Sequence, residues 1–238
     1  MKIALIGYGK MGKEVEKIAL DRGHTIALII DKDDEKKLNP ENLKGIDVAI
    51  EFTIPESAVH NIKKCFNSNV AVVCGTTGWV QELDTIIDFC KNNNKAFFYA
   101  SNYSLGVNIL FKVNSFVAQI MNKYDTYEPH IEETHHTQKL DAPSGTAITL
   151  ADGLIKNLNR KTNWVKENGT NPSDLVIKSF REGTVPGNHK VIYESEFDKL
   201  HIEHDSKNRQ GLAMGAILAA EFIAGKTGYF TMNDLLNI

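Results

Sequence analysis

Cysteine is scarce in this chain, with only Cys65, Cys74 and Cys90 among 238 residues. An odd number with no C-x-x-C pair argues against a disulfide framework or a thiolate zinc site, and fits buried thiols in a reducing compartment. An excess of one charge is also lacking. Lys and Arg number 27 against 30 Asp and Glu, for a net −3 and a pI near 6.2. That balance offers no basic surface to nucleic acid or to an anionic membrane. Long apolar runs are missing as well. The stretch between Lys2 and Gly7 is too short for the core of a signal peptide. "LAMGAILAAEFIAG" carries Glu221 and falls short of a membrane span. No internal repeat, low-complexity tract or long linker interrupts the chain. The expectation is a soluble, cytoplasmic protein with no nucleic-acid or membrane partner, long enough for one large domain or two small ones.

Within those bounds the pattern is regular. "KIALIG", "TIALIID", "DVAIEFT", "VAVVCG" and "KAFFYAS" are short apolar runs. Helix-like segments separate them: "KMGKEVEKIALDRG", then about Ser57 to Asn67, then about Gln81 to Lys91. Strands apolar throughout and alternating with helices indicate a parallel sheet covered on both faces, the α/β doubly wound class. After about Ser104 the pattern changes. "LGVNILFKVNSFVAQIMNKY" reads as a helix, "YEPHIEETHH" as strand-like, and "SGTAITLADGLIKNL" as an amphipathic helix with Ala147, Leu150, Ala151, Leu154 and Leu158 on one stripe. "LVIKSFREG", "HKVIYESEF" and "KLHIEHDS" are strands in succession, which implies a mixed or antiparallel sheet and a second, α+β domain. The expected division is a dinucleotide-binding domain at 1–103 completed by 209–238, and a substrate-binding and oligomerisation domain at 104–208.

"ALIGYGKMG" gives Gly7, Gly9 and Gly12 as G-x-G-x-x-G between a strand and a helix, and Asp31 ends the next strand about 20 residues on. In that context Gly7 allows the tight turn, Gly9 admits the pyrophosphate, and Gly12 lets helix and strand pack closely. Exposed N–H groups at the helix start hold phosphates. "FTIP", "CGTTGW" and "ASNYS" follow other strands at the same edge of the sheet, so a cleft is expected there. A tight turn without a ligand is the plainer alternative.

"ETHHTQKLDAPSGTA" concentrates proton-carrying groups ahead of a helix start. In an extended strand His135 and His136 face opposite ways, so both touch one ligand only if the strand ends there. His and Lys move protons near neutral pH once Lys is desolvated or beside another cation. Asp141, Pro143 and Ser144 are helix-start residues, and Gly145 and Thr146 expose backbone N–H groups to an anion. A carboxylate-bearing substrate beside a proton donor explains the assembly. A capped helix with two surface histidines is the plainer reading. A metal site of Glu132, His135 and His136 lacks a third ligand at a telling spacing. Arg181, His189, His204 and Arg209 are equally well strand-edge charges and core histidines. His201 and His204 lie on opposite sides of a strand, which argues against a joint metal site. No metal is expected.

The chain resembles the dihydrodipicolinate reductase family nearly end to end. "GYGKMG", "IEFTIPES", "GTTGW", "ASNYSLGVN", "ETHHTQKLDAPSGTA", "REGTVPGNH" and "IEHDSKNRQGLAMGA" occur in that family's order, and "HHTQKLDAPSGTA" is the most specific of them. The resemblance implies a homotetrameric enzyme of lysine and diaminopimelate biosynthesis that reduces a small dicarboxylate, hydroxy-tetrahydrodipicolinate, with NADPH or NADH. By it, His135 resembles the proton donor and acceptor and Lys139 the second proton donor. His136 with the Gly145–Thr146 backbone resembles the site for the substrate's carboxylates. Gly7, Tyr8, Gly9, Lys10, Met11 and Gly12, with Asp31 and Lys32, Gly75, Thr76 and Thr77, and Ala100, Ser101, Asn102 and Tyr103, resemble the cofactor site. The glycine loop is one residue shorter than the common family form, and Trp79 and Tyr103 stand where phenylalanine is common. Two rivals need the glycine loop but not "HHTQKLDAPSGTA": another amino-acid dehydrogenase, such as an aspartate dehydrogenase, and a non-catalytic redox sensor.

Overall fold

The computed structural model describes residues 1–167 and 169–237. The chain forms two compact units, one of Met1–Leu105 with Arg209–Ile238, the other Gly106–Asn208.

The first unit is built on β1 (Lys2–Ile6), β2 (Thr25–Ile30), β3 (Val48–Glu51), β4 (Ala71–Cys74) and β5 (Ala96–Tyr99), which alternate with α1 (Lys10–Asp21), α2 (Pro55–Asn67) and α3 (Leu83–Asn92). All strands pair in parallel, in the order β11-β5-β4-β3-β1-β2, where β11 is Gly228–Phe230. Period-two alternation explains why both faces are apolar. Ala4 and Ile6 pack with Ala58, Ile62 and Phe66 of α2 and Ile86 of α3, while Ile3 and Leu5 pack with Val15 and Ala19 of α1. The helix α6 (Gln210–Ile223) joins that second face through Ala213, Ala216, Ile217 and Ala220. β11 and α7 (Met232–Leu236) were not foreseen. Both are too short to carry a period, and α7 is held by a capping box between Thr231 and Asp234.

The second unit contains α4 (Leu105–Met121, whose first residue belongs to the first unit), β6 (Glu128–His135), α5 (Gly145–Asn157), β7 (Asn163–Lys166), β8 (Asp174–Arg181), β9 (Gly187–Glu194) and β10 (Lys199–Ser206). The sheet order is β10-β9-β6-β8-β7. β6 is antiparallel to β9 and parallel to β8, so the sheet is mixed. The stripe Ala147, Leu150, Ala151, Leu154 and Leu158 is fully buried against Ile131, Ile177 and Val191. β7 escaped the sequence reading because it has only four residues and none of them is buried.

Candidate active site

Two sites emerge, one in each unit. In the first, the strand order places β1 between β2 and β3, so the crevice beyond their carboxyl ends is the topological switch point. A groove of about 580 Å³ opens there, lined by Gly7, Tyr8, Gly9, Asp31, Lys32 and Phe52 among others. A second, of about 520 Å³, runs along Gly9, Lys10, Met11, Gly12, Gly75, Thr76 and Thr77. Gly7 has φ +93°, and a Cβ there would lie 2.0 Å from the Phe52 carbonyl oxygen. A Cβ on Gly12 would lie 2.3 Å from the Gly7 carbonyl oxygen. At Gly9 a Cβ would meet nothing within 4 Å, yet Gly9 lines both grooves and precedes the first turn of α1. The space beside Gly9 at the start of α1 is therefore open, so the loop has room for a dinucleotide pyrophosphate.

The remaining expected cofactor residues divide by role. Asp31 and Lys32 are exposed at the groove, and Asp31 Oδ1 accepts the Lys32 N–H at 2.9 Å. The Tyr8 hydroxyl donates to the Glu16 carboxylate. Thr76 is buried, its Oγ1 accepts the Thr53 N–H at 2.7 Å, and its carbonyl accepts from Trp79 Nε1 at 2.7 Å. Thr76 therefore ties two strand-end loops together. Beneath it lies Glu51, fully buried, which accepts from Thr53 Oγ1 and, at 3.1 Å, from Cys74 Sγ. Tyr103 is a core residue rather than a groove-lining one: it is 2% exposed, packs on Phe52 and Phe98, and donates its hydroxyl to the Cys74 carbonyl at 2.7 Å. Ala100 is buried, Ser101 exposed, and Asn102 half-buried with its Oδ1 accepting the Ser104 N–H.

The second site rises from pairing register. Across β8, β6 and β9 the rows read Ile177–Ile131–Val191, then Ser179–Glu133–His189, with Arg181 beside His135 in the next row. One face of the sheet is thus apolar where α5 covers it and polar at the carboxyl end of β6. β6 ends at His135, which is the condition for His135 and His136 to address one ligand. Beyond it Lys139 Nζ holds Asp141 at 2.8 Å. Arg181 ties down that loop, donating from Nε to the Lys139 carbonyl at 3.2 Å and from Nη2 to the Asp141 carbonyl at 2.6 Å. Ser144 caps α5 by accepting the Ala147 N–H at 3.2 Å. Gly145 is exposed at the first turn, with nothing within 4 Å of a Cβ built on it, and Thr146 is half-buried. His136 is half-buried too.

Glu133 organises this layer and the sequence reading missed it. Its side chain is fully buried and accepts the Ser144 N–H at 3.0 Å and Ser179 Oγ at 2.8 Å. Its Oε2 lies 3.5 Å from His135 Nδ1 and 3.6 Å from His189 Nε2, which also lies 3.1 Å from Ser144 Oγ. Burial pushes the Glu133 carboxyl up, but the neighbouring His189 imidazole and hydrogen bonds from Ser144 and Ser179 outweigh it and hold the group at about 2. His135 is pushed down to about 4 by burial and by the neighbouring His189, against the pull of Glu133. Arg181 and His189, set aside as strand-edge charge and core histidine, are brought into this cluster. The alternation of β6 puts Glu133 and His135 on one face, but only register reveals their partners.

The metal reading changes accordingly. Glu132 faces away from Glu133 and pairs with Lys178 at 3.5 Å, so the trio of Glu132, His135 and His136 does not form. Glu133, His135 and His189 instead offer ligand atoms within 4.8 Å of one another. Ser144 and Ser179 already occupy that carboxylate, and the Arg181 guanidinium stands 3.8 Å from it. A hydrogen-bonded acid–base cluster accounts for these groups without a cation.

A glycine loop at the switch point of a parallel sheet, in a chain that also carries a buried His–Glu cluster beside an anion-ready helix start, defines an oxidoreductase that uses a nicotinamide dinucleotide. Family models for the dihydrodipicolinate reductase N-terminus and C-terminus match residues 1–103 and 106–236. The chain belongs to the dihydrodipicolinate reductase family. It is 45% identical over 237 residues to the 4-hydroxy-tetrahydrodipicolinate reductase of Christiangramia forsetii, covering 100% of this chain and 98% of that one. It is 34% identical to the enzyme of the same name in Acinetobacter baumannii, over 82% of this chain and 74% of that one. The dipicolinate-bound dihydrodipicolinate reductase of Paenisporosarcina sp. TG-14 shares the fold, with a TM-score of 0.79 at 21% identity over 98% of each chain.

Proposed function

We infer that this chain reduces 4-hydroxy-tetrahydrodipicolinate to tetrahydrodipicolinate with NADH or NADPH, a step toward diaminopimelate and lysine. The observation that carries this reading is the layer holding His135, Glu133 and the start of α5 together, since neither a redox sensor nor a general amino-acid dehydrogenase needs it. The bound cofactor supplies a hydride. The Gly7–Gly12 loop would hold its pyrophosphate, with Lys10, Met11, Gly75 and Thr77 lining the same groove. The N–H groups of Gly145 and Thr146, with His136, hold the substrate's carboxylates. His135 and Lys139 manage the proton, and Lys139 and Arg181 supply positive charge where negative charge collects.

Burial and the neighbouring His189 lower the proton affinity of His135, and the negative charges of a dicarboxylate substrate act to raise it. Asp31 presents a carboxylate to the adenine ribose diol and opposes a 2′-phosphate, whereas Lys32 can swing toward that phosphate. Both cofactors are therefore used, with NADH at least as good as NADPH. Assembly of four copies is proposed from the family resemblance alone. A one-chain mass in light scattering removes that assembly. The three buried free thiols suit work in the cytoplasm.

The experiment is turnover of freshly generated substrate by the parent, His135→Gln and Lys139→Cys. Each variant is expected to lose about 10²–10⁴-fold in kcat, the range for a lost general acid or base. Cofactor affinity should hold in both. Parent turnover without either side chain removes the assignment.

A further inference from the structure

Glu133 is an odd residue to bury. Packing alone would be met by an apolar side chain in the row above Ile131, yet a carboxylate with no exposed surface sits there. Neutral donors satisfy it, the Ser144 N–H at 3.0 Å and Ser179 Oγ at 2.8 Å, and its nearest cation is the Arg181 guanidinium at 3.8 Å. These groups come from two elements: Ser144 from the start of α5, Ser179 and Arg181 from β8. Its Oε2 accepts the Ser144 N–H at 3.2 Å and also faces two imidazole nitrogens, His135 Nδ1 at 3.5 Å and His189 Nε2 at 3.6 Å.

The same carboxylate therefore touches both halves of the chemistry. Through the Ser144 N–H it fixes the residue that caps α5, and so the direction of the Gly145 and Thr146 N–H groups. Through Oε2 it faces, at 3.5 Å, the buried Nδ1 of His135, which makes no hydrogen bond to any of the described residues. An anion at that distance favours a proton on Nδ1 and so leaves the other nitrogen, Nε2, to exchange one. Nε2 lies toward Gly187, where a Cβ would come within 3.2 Å of it, so the missing side chain keeps that edge of the ring clear.

The charges around His135 show why the anion matters. His189 from β9, Arg181 from β8 and Lys139 from the following loop all oppose a positive imidazole. Asp141 is already engaged by Lys139, and His204 on β10 adds no negative charge. Glu133 is the opposing influence that favours the protonated ring.

We propose that Glu133 is a positioning residue for this reaction: it sets the tautomer and orientation of His135 through Nδ1 while it anchors the anion-binding start of α5, so that Nε2 and the helix N–H groups address the same ligand. The proposal rests on the proton-handling role of His135 given above.

The test uses Glu133→Gln and Glu133→Asp in the full-length protein, labelled with ¹⁵N-histidine. Long-range ¹H–¹⁵N spectra report the tautomer and titration midpoint of each ring without any turnover. In the parent, His135 should carry its proton on Nδ1. In Glu133→Gln that preference should be lost and the midpoint should fall. The pH profile of kcat should shift with it, kcat should drop about 10- to 100-fold, less than for a lost general acid, and pyridine-2,6-dicarboxylate should bind about tenfold more weakly. Glu133→Asp keeps the charge at shorter reach and should recover part of each effect. It also carries the test should the Gln variant not fold, because the proposal requires the His135 signals to move while those of His24 and His60 stay. Unchanged His135 signals and an unchanged pH profile in the folded variants overturn it. His135→Gln, assayed alongside, separates the two claims. If it retains parent turnover, the proton role fails, whatever the spectra show for Glu133. If it is inactive while Glu133→Gln behaves as the parent, only the positioning role falls.

Discussion

Replacing Gly9 by alanine should separate folding from cofactor binding. Gly9 has φ −77°, a backbone any residue adopts, and a Cβ there meets nothing within 4 Å. The costs to stability are small and partly cancel. Alanine is a poorer N-cap than glycine by about 0.5–1 kcal/mol, while the stiffer unfolded chain returns about 0.4–1 kcal/mol. The melting temperature should stay within about 3 °C of the parent. Binding should suffer far more. The methyl group would stand where the pyrophosphate meets the first N–H groups of α1, and displacing it weakens charge-assisted hydrogen bonds worth about 1.5–3 kcal/mol each. A loss of about 2–3 kcal/mol makes Kd about 30- to 150-fold weaker. Gly12→Ala should do the reverse. Its Cβ would lie 2.3 Å from the Gly7 carbonyl oxygen, so α1 must move off β1. Such overpacking costs about 1–3 kcal/mol, seen as a melting point lower by about 3–10 °C. Calorimetric titration with NADH and differential scanning fluorimetry on the two variants decide it. A Gly9→Ala protein that binds NADH with the parent's Kd would refute the placement of the pyrophosphate.

Lys32→Ala should lower kcat/KM for NADPH and leave NADH nearly untouched at fixed ionic strength, and a parent that prefers NADPH a hundredfold would show that another basic group reads the phosphate. Gly145→Pro removes a donor from the start of α5 and should raise KM steeply; binding of pyridine-2,6-dicarboxylate at the parent's affinity would contradict it. Acid should unfold the second unit. His135 is held at about 4 in the fold against an ordinary 6.5, so the unfolded chain takes up that proton first and stability falls as pH drops between those values. His130 and His204 are shifted the same way by burial. Glu133, at about 2 against 4.5, contributes stability that is complete above 4.5 and lost on further acidification toward 2. Melting followed from pH 7 to 3 should decline throughout, and His135→Gln should flatten only the upper part; a curve level from 6.5 to 4 contradicts the buried neutral ring.

Local pattern in the sequence determined a good deal. The alternation of apolar runs and helices in the first hundred residues required a parallel sheet, because strands apolar on both faces must be covered on both. G-x-G-x-x-G after a strand located the glycine loop, because Gly7 answers to the turn and Gly12 to the packing of one local unit. The stripe of α5 and its Ser144 cap were legible because helix period and capping lie within a few residues. What lay beyond the sequence was whatever strand pairing decides. Arg181 and His189 stand 46 and 54 residues from His135 in the chain, and nothing local distinguishes them from surface charge and core histidine; register alone sets them beside β6. Tyr103 shows the same limit in reverse, since family resemblance suggested a cofactor contact while its ring and hydroxyl are consumed by the core. The proposed reacting groups lie in one short segment, but the buried carboxylate behind them was placed beside His135 only when three strands and a helix start converged on it.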